Sequence, residues 1–301
     1  MVSCERRVEE VRVLRQRAIS SVFIVVLTLG PAIAGRYIFT LLVAIIFGLL
    51  IHEFETMVRR VGHRPLFGFS YAALLVTLGA GVLQIWGRWA ETIITAIVVL
   101  PLLGIIFRRD HRGALTDWAL TIAISLYVAL PAVHFILLRD LPGPLFSFLD
   151  EIDRTGGWQT HADTLTTLGL GWYLLAQCVT WLTDVGAYIA GRRFGRHKLA
   201  PAISPGKSVE GAIGGLVLGA LTAMLCVFAF GLPLAPPLAA LVGIALSGLG
   251  QLGDLAESLL KRQVGVKDSG SLIPGHGGVF DRLDSLLIVA TATYYLARAF
   301  S

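Results

Sequence analysis

Residues 254–284 read DLAESLLKRQVGVKDSGSLIPGHGGVFDRLD, and they stand between two long apolar segments. Ten ionisable side chains fall in this stretch: Asp254, Glu257, Lys261, Arg262, Lys267, Asp268, His276, Asp281, Arg282 and Asp284. Beside hydrocarbon each such group costs several kcal/mol unless it faces a polar cavity and finds a partner. Acids, bases and glycines packed between apolar spans therefore read as a polar site in a membrane protein. Asp254, Glu257, Ser258 and Lys261 share one face of a helix, by their spacing of three, four and seven. Asp281 and Asp284 share another. Between them, Pro274-Gly275-His276-Gly277-Gly278 carries little side-chain bulk, so backbone N–H groups there can approach a ligand closely.

Outward from this stretch, the composition supports the membrane reading. The chain has 301 residues, 55% hydrophobic and only 15% charged. Apolar runs of membrane-spanning length recur along most of it, so the expectation is an all-α, polytopic integral membrane protein. Nine spans are expected, at about 18–34, 37–55, 66–86, 90–107, 115–138, 165–190, 209–231, 236–260 and 283–300. A polar arm over 1–17 precedes them. Residues 18–164 then form an N-terminal group of about five helices with an acidic loop over 139–164. Residues 165–301 form a C-terminal catalytic group of about four.

Basic residues set the expected orientation. With the N-terminus in the cytoplasm, the inner segments hold 20 of the 25 Lys and Arg, and the outer side keeps Arg36, Arg88, Arg139, Arg154 and Arg298. The reverse topology does not accommodate that asymmetry. The same argument assigns the net charge of +5 to topology and anionic headgroups rather than to nucleic acid. Cys4, Cys178 and Cys226 are scattered, with neither disulfide nor zinc spacing. The first apolar segment lacks a small-residue cleavage site and reads as a retained helix. Glu53 and Glu55, at the inner end of the second span, read as interfacial acids paired with Arg59 or Arg60.

A second polar group lies upstream. Asp184 sits in an apolar stretch, where a carboxylate wants a cation, either a metal or a basic side chain. The loop GRRFGRHKLAPAISPGKSVEG follows, ending in Ser204-Pro205-Gly206-Lys207-Ser208. Gly206-Lys207-Ser208 does not complete a P-loop, because Pro201 stands where the first glycine belongs and no strand is expected before it. A small-residue turn entering a helix N-terminus, with Lys207 beside it, nevertheless suits phosphate.

Acids on two or three helices, two Lys/Arg clusters and glycine-rich backbone together point to phosphoryl or nucleotidyl transfer at a membrane surface. Carboxylates with phosphate oxygens commonly hold Mg²⁺, and basic clusters meet the phosphates. The metal candidates are Asp254, Asp281, Asp184 and Asp284. The phosphate candidates are Ser204, Gly206, Lys207, Ser258, Lys261, Arg262, Lys267, His276, Gly277, Gly278 and Arg282. Lys207, Lys261, Arg262 and Asp281 are the catalytic candidates. For Ser204 and Ser258, helix packing is an equal alternative, and several of the bases could be topology charges only. Asp268 reads as a loop carboxylate.

Three runs carry a family resemblance: Ser258-x-Leu260-Lys261-Arg262, Lys267-Asp268-x-Gly270, and Ile273-Pro274-x-His276-Gly277-Gly278-Val279-x-Asp281-Arg282-Leu283-Asp284. They resemble the pattern of the phosphatidate cytidylyltransferases (CDP-diacylglycerol synthases), with no departure at a defined position. Asp184, Ser204, Pro205, Gly206 and Lys207 look like a second region of that family. The resemblance is strong over about residues 170–300. It implies CTP and phosphatidic acid as substrates, and CDP-diacylglycerol and pyrophosphate as products. It also implies Mg²⁺ with K⁺ as a second candidate ion, a homodimer, and, in a bacterial host, the cytoplasmic membrane with the site facing the cytoplasm. A CTP-dependent polyprenol or dolichol kinase is the alternative enzyme. A transporter would need charges near the midplane and similar halves; here the charges gather at inner helix ends.

Overall fold

The structure is a computed structural model that describes residues 25–143, 168–270, 272 and 277–300. The polar arm over 1–17, the start of the first span, most of the acidic loop and His276 lie outside the described residues.

Each expected apolar segment holds one helix. These are α1 (Val25–Ala34), α2 (Arg36–Arg60), α3 (Phe67–Val82), α4 (Trp86–Ile106), α5 (Ala114–Arg139), α6 (Leu168–Phe194), α7 (Val209–Phe230), α8 (Pro236–Gln263) and α9 (Phe280–Phe300). By length and composition, α2, α4, α5, α7 and α8 can cross a membrane. The chain is therefore an integral membrane protein. α1 and α3 are shorter apolar helices. α6 and α9 are long but more polar, because they carry Asp184, Asp281 and Asp284.

The architecture is almost all-α; the exception is a small hairpin. Strands β1 (Lys198–Ala200) and β2 (Ser204–Ser208) pair antiparallel, with Lys198 opposite Ser208. The expectation of a plain turn at 204–208 is corrected here. Pro205 favours an extended residue before it, and pairing with β1 keeps the segment extended up to the helix. Ser208 then caps α7, its hydroxyl accepting the Gly211 N–H at 3.1 Å. Because GKS lies within this antiparallel strand and not after a parallel one, the P-loop geometry remains excluded.

Small residues let α6, α7 and α8 approach. Gly211, Gly215 and Gly219 repeat every four residues on α7 and are buried. That is the small-xxx-small pattern by which membrane helices close on one another. α6 and α8 meet across this face, where the Thr183 and Ser247 hydroxyls lie 2.7 Å apart. Next to it the apolar core joins α2, α5, α6 and α9 through buried Phe39, Phe47, Phe135, Trp172, Tyr173 and Phe280. At one end of the bundle Arg139 is buried, donating to Ala32 O at 3.0 Å and to Asp140 at 2.9 Å. The other end gathers the C-terminal ends of α2, α6 and α8 and the starts of α7 and α9.

Candidate active site

Helical spacing sets the first half of the site. On α8, Asp254 at one level and Glu257, Ser258 and Lys261 below it line the face turned to α9, and the last three are buried. α9 begins at Phe280, so Asp281 and Asp284 occupy its first turns. Carboxylate oxygens of Asp254, Glu257 and Asp284 all lie within 4.8 Å of one another. Two such charges at that distance repel by about 3.5 kcal/mol at an effective dielectric near 20. A group of three is sustained by cations or by a proton on one of its members.

Two lysines supply part of that charge. Lys207, from the end of β2, places its Nζ 2.6 Å from Asp254 Oδ2. The contact is an ion pair. Lys261 stands between two acids, 3.0 Å from Glu257 Oε1 and 2.6 Å from Asp281 Oδ1. Asp184 on α6 is close enough to feel Asp254, Lys207 and Arg282. A cavity of about 450 Å³ opens here, lined by Asp184, Tyr188, Arg192, Gly206, Lys207 and Asp254. It lies between α6, the hairpin, α7 and α8, and it joins the upstream polar group to the downstream one.

The glycine loop is held by two carboxylates. Asp281 Oδ2 accepts from Gly278 N (2.7 Å) and Ser269 N (3.1 Å), and the Ser269 hydroxyl, whose one hydrogen lies between Asp281 and the closer Glu53, is 3.1 Å away. Glu53 accepts from Val279 N (2.7 Å), Phe280 N (2.9 Å) and the Ser269 hydroxyl (2.8 Å). Glu53 thus comes from the other half of the chain to cap α9, where the first N–H groups have no helical partner. It is 7% exposed. The pairing expected for it with Arg59 or Arg60 is corrected: Glu55 takes Arg59, at 2.6 Å, and Glu53 turns inward. The double glycine follows from this clamp. Gly277 has φ +82°, and a Cβ on Gly278 would sit 2.5 Å from both Glu53 carboxylate oxygens.

The structure brings Asp184, Lys207, Asp254, Lys261, Asp281 and Asp284 into one connected polar group. Asp281 is joined to the three-carboxylate cluster through Lys261, and its second oxygen is spent on the loop. Gly206 and Lys207 line the cavity, whereas Ser204 lies at the far end of β2 opposite Ala200. Ser258 is buried on α8. Arg262 is exposed and donates to Val266 O at 3.1 Å. Lys267 and Asp268 are exposed on the loop, and Arg282 is exposed on α9. Two members were missing from the sequence-based site. Glu257 shares the Asp254 face, and that spacing could have added it. For Glu53, nothing local in the sequence announces a partner more than 200 residues away.

The cytidylyltransferase family model matches residues 15–300, nearly the whole chain. The chain belongs to the cytidylyltransferase family. Its enzymatic class is therefore transfer of a cytidylyl group. Relatives named phosphatidate cytidylyltransferase include one from Staphylococcus haemolyticus, 44% identical over 181 residues that cover 58% of this chain and 68% of the relative. Another, from Staphylococcus saprophyticus, is 50% identical over 169 residues, covering 54% and 65%. A third, from Bacillus subtilis, is 46% identical over 137 residues, covering 46% and 51%. The matched stretches thus span roughly half to two thirds of these relatives.

Proposed function

We propose that this enzyme joins CTP to phosphatidic acid, giving CDP-diacylglycerol and pyrophosphate. The observation that carries the reading is the connected polar group at one end of the helix bundle, with its cavity, in a chain whose relatives bear the name phosphatidate cytidylyltransferase.

A lipid phosphate oxygen attacks the α-phosphorus of CTP in line. The new P–O bond forms as the bond to the β-phosphate oxygen breaks, and pyrophosphate leaves. The attacking phosphate is already anionic, so no strong general base is required. The protein's task is to position two polyanions and neutralise them. Lys207 and the amide-rich start of α7 meet triphosphate oxygens in the cavity. Lys261 holds Glu257 and Asp281 in register, and the Gly277-Gly278 backbone lets the Glu53 and Asp281 carboxylates close on the loop that precedes α9. Arg262, Lys267 and Arg282, all exposed, add positive charge to this end of the bundle.

The donor set fits a hard divalent cation: three carboxylates with oxygens within 4.8 Å, and Asp184 and Asp281 adjoining. Mg²⁺ would be held by Asp254, Glu257 and Asp284 and, when bound, would neutralise and orient the triphosphate. A K⁺ beside it belongs to the same proposal. So do nine membrane crossings, an inner N-terminus, a site facing the cytoplasm of a bacterial cell, and a homodimer. The basic asymmetry of the loops supports the orientation, because the site shares its end of the bundle with Arg59, Arg60, Lys198 and Lys261.

Label position in CTP tests the reaction. Purified enzyme is given phosphatidic acid and Mg²⁺ with CTP labelled at the α- or the γ-phosphate. Label in the lipid from α-labelled CTP alone, with pyrophosphate released, is the expected result. Lipid labelled from the γ-position, with a polyprenol as acceptor, would replace the proposal with the lipid-kinase reading.

A further inference from the structure

Alongside the carboxylate group, α2, α5 and the last turn of α8 enclose an apolar groove of about 490 Å³. Its walls include Phe54, Val58, Leu120, Tyr127, Leu260 and Val264. Its lining on α5 runs from Thr116 to Tyr127. The 11 helical steps between them rise about 16 Å at 1.5 Å each, close to half of a ~30 Å hydrocarbon core. The groove therefore has the depth of one leaflet.

Its mouth is cationic. His63 lines the groove and also a second cavity of about 580 Å³ on the α2–α3 and α4–α5 turns. Arg59, Arg64, Arg108 and Arg112 line that cavity, with Asp110 and Asp117. The cavity is built rather than incidental. Asp117 is 5% exposed; it accepts from Arg108 Nη1 at 2.8 Å and from the Arg64 N–H at 2.8 Å. Arg108 Nη2 also donates to Arg64 O at 2.6 Å. Asp117 and Arg108 thus occupy each other and fix the turn bearing Arg64. Among the described residues, neither the Arg64 nor the Arg112 guanidinium has a side-chain partner.

An apolar slot one leaflet deep beneath a pair of open guanidinium groups matches an anionic lipid in both halves. We propose that this composite site binds an anionic phosphodiester lipid of the inner leaflet that is not the substrate. Its headgroup phosphate rests on Arg64 and Arg112, and one acyl chain fills the groove between α2, α5 and α8. None of these lining residues belongs to the CTP cavity or to the three-carboxylate group, so a phosphate held here is not placed for reaction. The bound lipid still touches the machinery. Leu260 and Val264 flank Lys261 on the same turn, so a filled groove buttresses the turn that presents Lys261 to Asp281. Occupancy then raises activity. The inference rests on the membrane reading of these helices, and its primary readout is binding, which is independent of the reaction.

The test uses purified full-length enzyme in zwitterionic detergent micelles, with phosphatidylglycerol as the probe. Retained lipid is counted by native mass spectrometry, and activity is followed as the phosphatidylglycerol fraction rises. Wild type is expected to retain phosphatidylglycerol and to gain activity several-fold. R64Q/R112Q, two exposed substitutions, is expected to retain it roughly 30-fold more weakly, about fivefold per arginine, and to lose the activation while keeping basal activity. A123F, which fills the groove from its lining, is expected to act likewise without changing charge. Equal retention by wild type and both variants would overturn the proposal. So would phosphatidylglycerol competing with phosphatidic acid, with R64Q/R112Q raising KM for phosphatidic acid, because the site would then be the substrate's own.

Discussion

Replacing Glu53 with Gln removes one charge and one acceptor from the clamp that joins the two halves of the chain. The carboxylate takes three hydrogen bonds: Val279 N on Oε1, and Phe280 N and the Ser269 hydroxyl on Oε2. If the amide oxygen replaces Oε2, the NH₂ faces the Val279 N–H and strands a buried donor, at about 1–3 kcal/mol. The two remaining bonds fall from charge-assisted to neutral, at roughly 0.5–1 kcal/mol each. The sum is about 2–5 kcal/mol, and at roughly 2 °C per kcal/mol for a chain of this size it lowers the melting midpoint by about 4–10 °C. Glu55→Gln is the control, since its exposed pair with Arg59 contributes about 0.5 kcal/mol. Thermal unfolding in detergent at a fixed scan rate compares them. Hydrogen exchange over residues 265–284 should rise in Glu53→Gln alone, and cytidylyl transfer should fall with it. Equal midpoints and equal exchange for the two variants would refute the clamp.

Two further outcomes follow from the same contacts. Gly278→Ala puts a methyl group 2.5 Å from the Glu53 oxygens; activity should fall at least tenfold while the far-ultraviolet circular dichroism stays that of the wild type, and an unchanged rate would show that the loop has room to spare. Lys207→Met removes the charge 2.6 Å from Asp254; steady-state kinetics should show KM for CTP rising more than KM for phosphatidic acid, and the opposite order would move Lys207 to the lipid side.

The helices were legible because their cause is local. Apolar runs of spanning length recur between polar breaks, and every one contains a helix. Asp254, Lys261 and Asp284 could be read from three- and four-residue spacing on helices of known face. The β1–β2 hairpin was not legible, since three- and five-residue strands leave no periodicity to count. Glu53 was misjudged for a different reason. Its neighbours Arg59 and Arg60 offer an adequate local partner, and only the packing of α2 against α9 shows that uncapped N–H groups outcompete them. The arginine cavity likewise depends on two turns, at 61–66 and 107–113, that the fold alone brings together.

Mg²⁺-dependent formation of CDP-diacylglycerol from CTP and phosphatidic acid, by wild type and Asp254→Asn side by side, bears most directly on the site. Both proteins are first shown to elute as the same folded species in detergent. The account predicts product from wild type and a loss of at least ~100-fold in Asp254→Asn, the scale expected when charge aimed at the reacting phosphates is removed. A variant within a few-fold of wild type would contradict it, because the cluster of Asp254, Glu257 and Asp284 could not then be where the reaction runs.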